Sequence, residues 1–290
     1  MSEVDPPQPY RNPGRDFLLQ NGLLRTEKDI YRYVEFLRQQ SGLSDAPPID
    51  LSRIYRCFGI PTPRRAPLEE QQGILLDSET GKILIKEDDP IGRQRFTEGH
   101  ELLELLFAAQ DSLGGVNSIP VSMEREKERL CDRGSAELLM PTSSFRPMLN
   151  DLGISFSTGQ TLATLYQTSL LATLLQMLRL EQGDCALVVW HFAFKPSEVK
   201  NSGHSEAFLQ KKPRVLWSMS TETWTGGYIP KSKSVSFDSL LFQTYDIGHP
   251  HSGAEIINLG QRSISCLVEA MRVQMGDDNC VMSLLHMLHE

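Results

Sequence analysis

Residues 89–108 have the hydrophobic pattern of a helix that is buried on most of its sides. At about 100° of rotation per residue, the large apolar side chains cover well over half of the helix circumference. These residues are Phe96, Leu102, Leu103, Leu105, Leu106 and Phe107. Asp89 suits the N-cap and Pro90 the first helical position. The pattern therefore predicts a core helix that begins near Pro90.

The polar residues of this helix gather on one face. Thr97, His100, Glu101 and Glu104 fall within a sector roughly 100° wide, with only Ala108 among them. Two carboxylates three residues apart repel each other, and burying either as an anion is unfavourable unless a cation compensates its charge. A positive group is therefore expected at this face.

A divalent metal ion is one such group. His100 and Glu104 have the i, i+4 spacing at which two helical side chains can bind one ion. Glu101 would then be the general base that takes a proton from a water molecule on the metal. The alternative is that Glu98, Glu101 and Glu104 form a solvated stripe, with His100 as a hydrogen-bonded neighbour. A short H-E-x-x-E string on its own favours this alternative, because such strings recur by chance.

The remaining pattern predicts both helices and strands. Residues 73–76 and 82–85 are apolar or alternating segments around a turn, which predicts a hairpin before the core helix. Residues 128–140 have a helical pattern that ends at Pro141, and residues 161–175 contain two short helical patterns around a turn. Residues 185–190, 213–218 and 262–269 are strand-like. The predicted fold class is α+β.

Two motifs give a specific resemblance. The string R-F-T-x-x-H-E ends at Glu101, and the string E-x-x-C-D-x-x-x-A-E-L-L-M-P runs from Glu128 to Pro141. This pair resembles the ImmA/IrrE family of intracellular bacterial metallopeptidases. The resemblance implies a zincin-like core of helices and a small sheet, in which His100 is a metal ligand, Glu101 the catalytic base and Glu128 the third ligand. Where the family has its second histidine ligand, this chain has Glu104.

The departure at Glu104 leaves two functions open. A carboxylate oxygen can bind zinc at about 2.0–2.2 Å, so His100, Glu104 and Glu128 can still form a metal site. Two anionic ligands reduce the positive charge of the ion and suit manganese as well as zinc. Leu103 and Gly134 also depart from what is frequent in the family. The first hypothesis is a metallo-endopeptidase with Zn²⁺ or Mn²⁺. The alternative is a catalytically inactive pseudopeptidase without metal, which acts as a regulator by binding a repressor or another protein.

Composition sets the expected surroundings. The chain has 290 residues, 40% hydrophobic residues and a net charge of −8, and it has no sustained apolar run near 20 residues. We expect a soluble protein without a membrane span, and the start of the sequence has no signal-peptide pattern, which favours the cytoplasm. The expected organisation is a disordered tail at 1–15, a peptidase domain at 16–144, a helix-turn-helix-like segment at 145–182 and a sensor-like α+β domain at 183–290.

The resemblance also implies a partner. Its substrate would be a helix-turn-helix transcriptional repressor, cut in a stress or mobile-element response. Direct nucleic-acid binding through residues 160–178 is disfavoured, because no Lys or Arg occurs between Arg146 and Arg179. Histidines near the C-terminus could restore a nitrogen ligand, but we expect them to be exposed loop or terminal residues instead. They are His249, His251, His286 and His289.

Overall fold

The chain forms two compact units that both contain secondary structure. The computed structural model describes residues 8–115, 119–181, 183–195, 210–259, 262–276 and 278–289. The first unit comprises Met1–Met148 and Gln160–Thr173, and the second comprises Leu149–Gly159 and Leu174–Glu290. Helices and two sheets confirm the predicted α+β class.

The helices and strands are numbered in chain order. The helices are α1 Pro13–Asn21, α2 Lys28–Gln40, α3 Ser52–Phe58, α4 Ile91–Gly114, α5 Val121–Glu124, α6 Lys127–Leu139, α7 Thr142–Leu152, α8 Phe156–Tyr166, α9 Leu170–Leu180 and α10 Leu240–Ile247. The strands are β1 Arg64–Ala66, β2 Gly73–Asp77, β3 Lys82–Lys86, β4 Cys185–Ala193, β5 Lys212–Ser220, β6 His251–Asn258, β7 Ser263–Met275 and β8 Asp278–Met287.

Helix α4 is the core helix that the hydrophobic pattern predicts. Leu102, Leu103, Leu105, Leu106 and Phe107 are all fully buried. The helix packs against α1 and α6 and against strands β2 and β3. Three of the four candidate site residues, His100, Glu101 and Glu104, are therefore on the central helix of the first unit.

The start of α4 differs in detail from the prediction. Pro90 occupies the N-cap instead of the first helical position, and no side chain caps the helix there. Asp89 lies one residue too early to be the N-cap, and its carboxylate instead pairs with Arg93 at 3.1 Å. Phe96 was expected in the core but is only partly buried, because it lines an open cleft.

The predicted hairpin is confirmed as strands β2 and β3. They pair antiparallel in a three-stranded sheet of order β1-β3-β2, so β2 is an edge strand. At Gly73, where β2 crosses α4, an added Cβ would lie 2.4 Å from Thr97 Cγ2 and 2.8 Å from Glu101 Oε1. Only glycine lets the strand approach the helix this closely.

Leu103 and Gly134 face each other where α4 packs on α6. A Cβ added to Gly134 would lie 2.7 Å from Leu103 Cδ1 and 3.0 Å from Ile30 Cγ2. The fully buried Leu103 side chain therefore occupies the space that a side chain at position 134 would need. The two departures from the family pattern are in contact and compensate each other in size.

We predict that Leu103 and Gly134 are energetically coupled. Gly134→Ala should destabilise the protein, because overpacking costs about 1–3 kcal/mol and exceeds the gain of about 1 kcal/mol in helix propensity. Leu103→Ala should cost about 2–5 kcal/mol through the cavity it leaves. In the double variant each change relieves the other, and the combined cost should fall short of the sum by about 1 kcal/mol or more. Urea unfolding of the four proteins measures this coupling, and strictly additive costs would contradict it.

The helical segment after Pro141 follows the predicted pattern. Helix α6 ends before Pro141, and α8 and α9 are two short helices separated by a turn in which Gln167 has a positive φ of 53°. At the other end of the chain, α1 begins at Pro13, within the segment expected as a disordered tail. The first seven residues of that expected tail lie outside the described residues.

The sheet of the second unit is antiparallel throughout. Its strand order is β5-β4-β8-β7-β6, and α10 packs on β6, β7 and β8. Trp190 is almost fully buried, and its Nε1 donates a hydrogen bond to Ser283 Oγ at 2.8 Å. Strands β4, β5 and β7 confirm the three predicted strands, whereas β6 and β8 were not predicted.

Two of the C-terminal histidines are strand residues, contrary to expectation. His251 begins β6 and His286 lies in β8, where burial lowers the pKa of its imidazole. No helix in the described part of the chain combines the length and apolar character needed to cross a membrane.

Candidate active site

An open cleft brings the predicted site residues together. It has a volume of about 590 Å³ and lies between strand β2, helix α4 and the first turns of α6. His100, Glu101, Glu104 and Glu128 all line it. Because α4 supplies three of these side chains and α6 the fourth, the crossing of the two helices builds the site.

His100 is oriented by carboxylates on both sides of its ring. Its Nε2 lies 3.5 Å from Glu128 Oε2 and 3.9 Å from Glu104 Oε1, and its Nδ1 lies 3.0 Å from Asp132 Oδ1. Burial lowers the pKa of His100, but the hydrogen bond and charge of Asp132, with the charges of Glu101 and Glu128, outweigh burial and raise it overall. Asp132 fixes the ring so that Nε2 faces the two glutamates.

Glu101 is buried although it carries a carboxyl group. Its residue is only 5% exposed, and burial raises the pKa of its carboxyl from 4.5 to about 7. His100 and a hydrogen bond from the backbone of Leu75 oppose the rise, and the charge of Glu104 adds to it. A carboxyl group with a near-neutral pKa is suited to take up and release a proton at physiological pH.

The alternative of a solvated glutamate stripe is wrong. Glu98 and Glu101 are both buried, and Glu98 accepts a hydrogen bond from Tyr55 Oη at 2.6 Å while it pairs with Arg65. Burial and specific partners distinguish these carboxylates from solvated surface groups.

Glu104 has a cationic partner that sequence analysis did not identify. Lys127 Nζ lies 2.7 Å from Glu104 Oε2. The other oxygen, Oε1, accepts a hydrogen bond from Cys131 Sγ at 3.5 Å. His100, Glu104 and Cys131 form a group whose potential ligand atoms lie within 4.8 Å of one another. The expected positive charge at this face is thus supplied in part by a lysine.

Asp132 and Lys127 also line the cleft, and sequence analysis missed both. Asp132 follows Glu128 by four residues, so a helical wheel of α6 places both on one face. That spacing was a usable signal for Asp132. Lys127 had no such signal, because its approach to Glu104 depends on how α6 crosses α4.

The side chains present fit a divalent metal ion. Donor atoms that share a tetrahedral zinc ion lie about 3.3–3.6 Å apart, given bonds of about 2.0–2.2 Å. The separations of His100 Nε2 from the two glutamate oxygens are close to this range. The hydrogen bond from Nδ1 to a carboxylate is the arrangement that metal-binding histidines usually have. His100 and Glu104 could therefore hold the ion, with a third ligand from Cys131 of the close group or from Glu128 beside His100.

Comparison with known families places this site in context. The model of the Peptidase_M78 family, the "IrrE N-terminal-like domain", matches residues 57–177, a segment that contains all four predicted site residues. The ImmA/IrrE resemblance is confirmed. The IrrE N-terminal-like match begins within α3 and ends within α9, so it includes the hairpin, both helices of the cleft and the helical segment that follows.

A solved structure shows a similar fold over nearly the whole chain. A Mycobacterium tuberculosis transcriptional regulator aligns with a TM-score of 0.56 and 13% sequence identity. The alignment covers 95% of this chain and 81% of that protein. At this identity the likeness concerns the fold. None of the curated proteins matches the sequence.

Proposed function

We propose that this chain is a metal-dependent endopeptidase of the ImmA/IrrE type that cleaves a helix-turn-helix transcriptional repressor in the cytoplasm. The observation that carries the proposal is the position of Glu101. This buried carboxyl, with a pKa of about 7, lies in the same cleft as the donor atoms of His100, Glu104 and Glu128. The match to a peptidase family supports the reaction class. The repressor substrate and the stress or mobile-element setting rest on the family resemblance.

Each residue has a chemical part in this proposal. His100, Glu104 and Glu128 would hold the ion, which would supply Lewis-acid chemistry to the scissile carbonyl and to a water molecule. Glu101 accepts the proton of the attacking water and delivers it to the leaving amine. Asp132 keeps the His100 ring in the tautomer that leaves Nε2 free to bind.

Strand β2 is suited to hold the substrate. It is an edge strand, and Gly73, Ile74 and Leu75 line the cleft. An extended peptide can add to such an edge through main-chain hydrogen bonds, which bind without demanding one sequence. Since Gly73 approaches Glu101, a peptide beside β2 passes close to the general base.

One observation favours a second candidate function, a non-catalytic regulator that uses the peptidase cleft to bind a repressor or another protein. Glu104 stands at the position of the family's second histidine and forms an ion pair with Lys127. A lysine in contact with a metal ligand competes with the ion for that ligand, and a cleft without metal would remain a protein-binding groove.

The variant Glu104→His separates the two functions. For the peptidase, wild type incubated with an extract of its native cells and added Zn²⁺ or Mn²⁺ should create new protein N-termini, detected by mass spectrometry. The histidine variant should remain active and shift its preference towards Zn²⁺ over Mn²⁺ by about tenfold, because imidazole is the softer ligand.

The pseudopeptidase gives the opposite result. Wild type would produce no new N-termini with either metal, and Glu104→His would either stay inactive or gain an activity that wild type lacks. Omission of metal is the control in both arms.

A further inference from the structure

The two oxygens of Glu104 face different groups. Oε1 faces His100 Nε2 at 3.9 Å, on the side of the candidate metal ligands. Oε2 is bound by Lys127 Nζ at 2.7 Å. Glu104 and His100 are arranged alike. Each has one atom that faces the candidate ligands, Oε1 of Glu104 and Nε2 of His100. The other atom of each, Oε2 of Glu104 and Nδ1 of His100, contacts a charged neighbour. Lys127 thus orients Glu104 as Asp132 orients His100.

Lys127 is held in this position by helix α4. Its Nζ lies 5.6 Å from the centre of the Phe107 ring, in a cation–π contact, in addition to the ion pair with Glu104. Glu104 and Phe107 are three residues apart and so lie on the same side of α4. The lysine side chain is only 29% exposed. Two contacts and partial burial fix the ammonium group next to the site.

Lys127 changes the net charge at the proposed metal site. A divalent ion bound by two neutral imidazoles and one carboxylate has one net positive charge. Replacement of one imidazole by Glu104 reduces that charge to zero. The ammonium of Lys127 raises it again to one, in direct contact with the residue that caused the loss.

We propose that Lys127 is a positioning residue for Glu104, which holds Oε2 so that only Oε1 is offered to a metal, and which restores the positive charge that the histidine-to-glutamate difference removes. This inference rests on the proposed metal site of His100, Glu104 and Glu128. It assigns the H-E-x-x-E sequence and Lys127 together as one functional unit.

Removal of the Lys127 ammonium should change the affinity for a metal ion in a predictable direction. A lysine next to a divalent ion repels the ion and occupies one carboxylate oxygen. Its removal should therefore tighten metal binding and leave both oxygens of Glu104 available to the ion. The bound ion should then have one more ligand atom than in wild type.

The variant Lys127→Met tests both effects with Co²⁺ as the probe. Titration against a competing chelator dye should show Co²⁺ binding that is roughly tenfold tighter than in wild type, from the charge effect of one neighbouring cation. The visible absorption of bound Co²⁺ should become weaker, because its intensity falls as the coordination number rises. Neither readout depends on peptidase activity.

Two further variants make the result specific. Lys127→Arg keeps the charge and should bind Co²⁺ with nearly wild-type affinity. Arg93→Met removes a positive charge from the same cleft, but Arg93 pairs with Asp89, so its effect should be less than about threefold.

Three results would overturn the inference. The first is unchanged or weaker Co²⁺ binding by Lys127→Met, and the second is an unchanged absorption spectrum. The third is an equal effect of Arg93→Met, which would reduce the role of Lys127 to the general charge of the cleft. Failure of wild type itself to bind Co²⁺ would instead reject the metallopeptidase proposal, and the inference with it.

Discussion

Glu101→Gln is expected to lower the rate of peptide cleavage by roughly 10²–10⁴-fold, the usual contribution of a general base. The amide has the same shape as the carboxyl but cannot accept a proton. Because Glu101 is not among the proposed ligands, the variant should still bind metal. Production of new N-termini in the cell extract measures the loss, and Asp111→Asn, an exposed acid-to-amide change on the same helix, is the matched control.

The same variant should not unfold the protein. The folded pKa of Glu101, about 7, is above its ordinary value of 4.5, so the folded state binds this proton more tightly than the unfolded state does. The stability that the protonated carboxyl contributes is complete below pH 4.5 and is lost as the pH rises towards about 7. In thermal unfolding at pH 8, with a chelator added to remove metal, Glu101→Gln should therefore be at least as stable as wild type. If Glu101→Gln cleaves peptides at the wild-type rate, Glu101 is not the general base.

Glu128→Ala is expected to abolish metal binding, whereas Cys131→Ala should retain it. The two residues compete for the role of third ligand, because Cys131 Sγ belongs to the close group with His100 and Glu104. Burial, with the charge of Glu104, raises the pKa of the Cys131 thiol, and a thiol must lose its proton to bind a metal. The side chain of Glu128 is 82% exposed and lies 3.5 Å from His100 Nε2, so it can bind as a carboxylate.

Elemental analysis of dialysed protein measures this difference. Wild type and Cys131→Ala should carry about one equivalent of zinc or manganese, as the three-ligand site requires. Glu128→Ala should carry less than about one tenth of an equivalent, since loss of even an outer-shell partner weakens metal sites by about 10–100-fold. The reverse pattern would make Cys131 the third ligand. Absence of metal in all three proteins would favour the pseudopeptidase.

The sequence predicted the elements whose patterns are local. The apolar positions of α4, the turn between β2 and β3 and the proline after α6 each lie within one element. Strand β8 was missed because it is a central strand with a continuous buried run, which periodicity cannot distinguish from a buried helix. Strand β6 was missed because it is an edge strand with a glycine and several polar residues.

The part of the candidate site that lies on a single helix was predicted from the sequence. His100, Glu101 and Glu104 share one face of α4, and the structure places them in one cleft. The contact of Lys127 with Glu104 was beyond prediction, because it depends on the relative placement of two helices separated by residues 115–126. The sequence predicted that a cation should face these carboxylates but could not tell a lysine from a metal.

Gly73 limits how the peptide preference of the proposed cleft can be altered. Any side chain there would collide with Thr97 and with the carboxyl of Glu101, so this position cannot be used to build a new specificity pocket. Its neighbours Gln71 and Gln72 also line the cleft and are exposed. In directed evolution, libraries at positions 71 and 72 should therefore yield folded proteins with altered peptide preference, while a library at position 73 should return glycine.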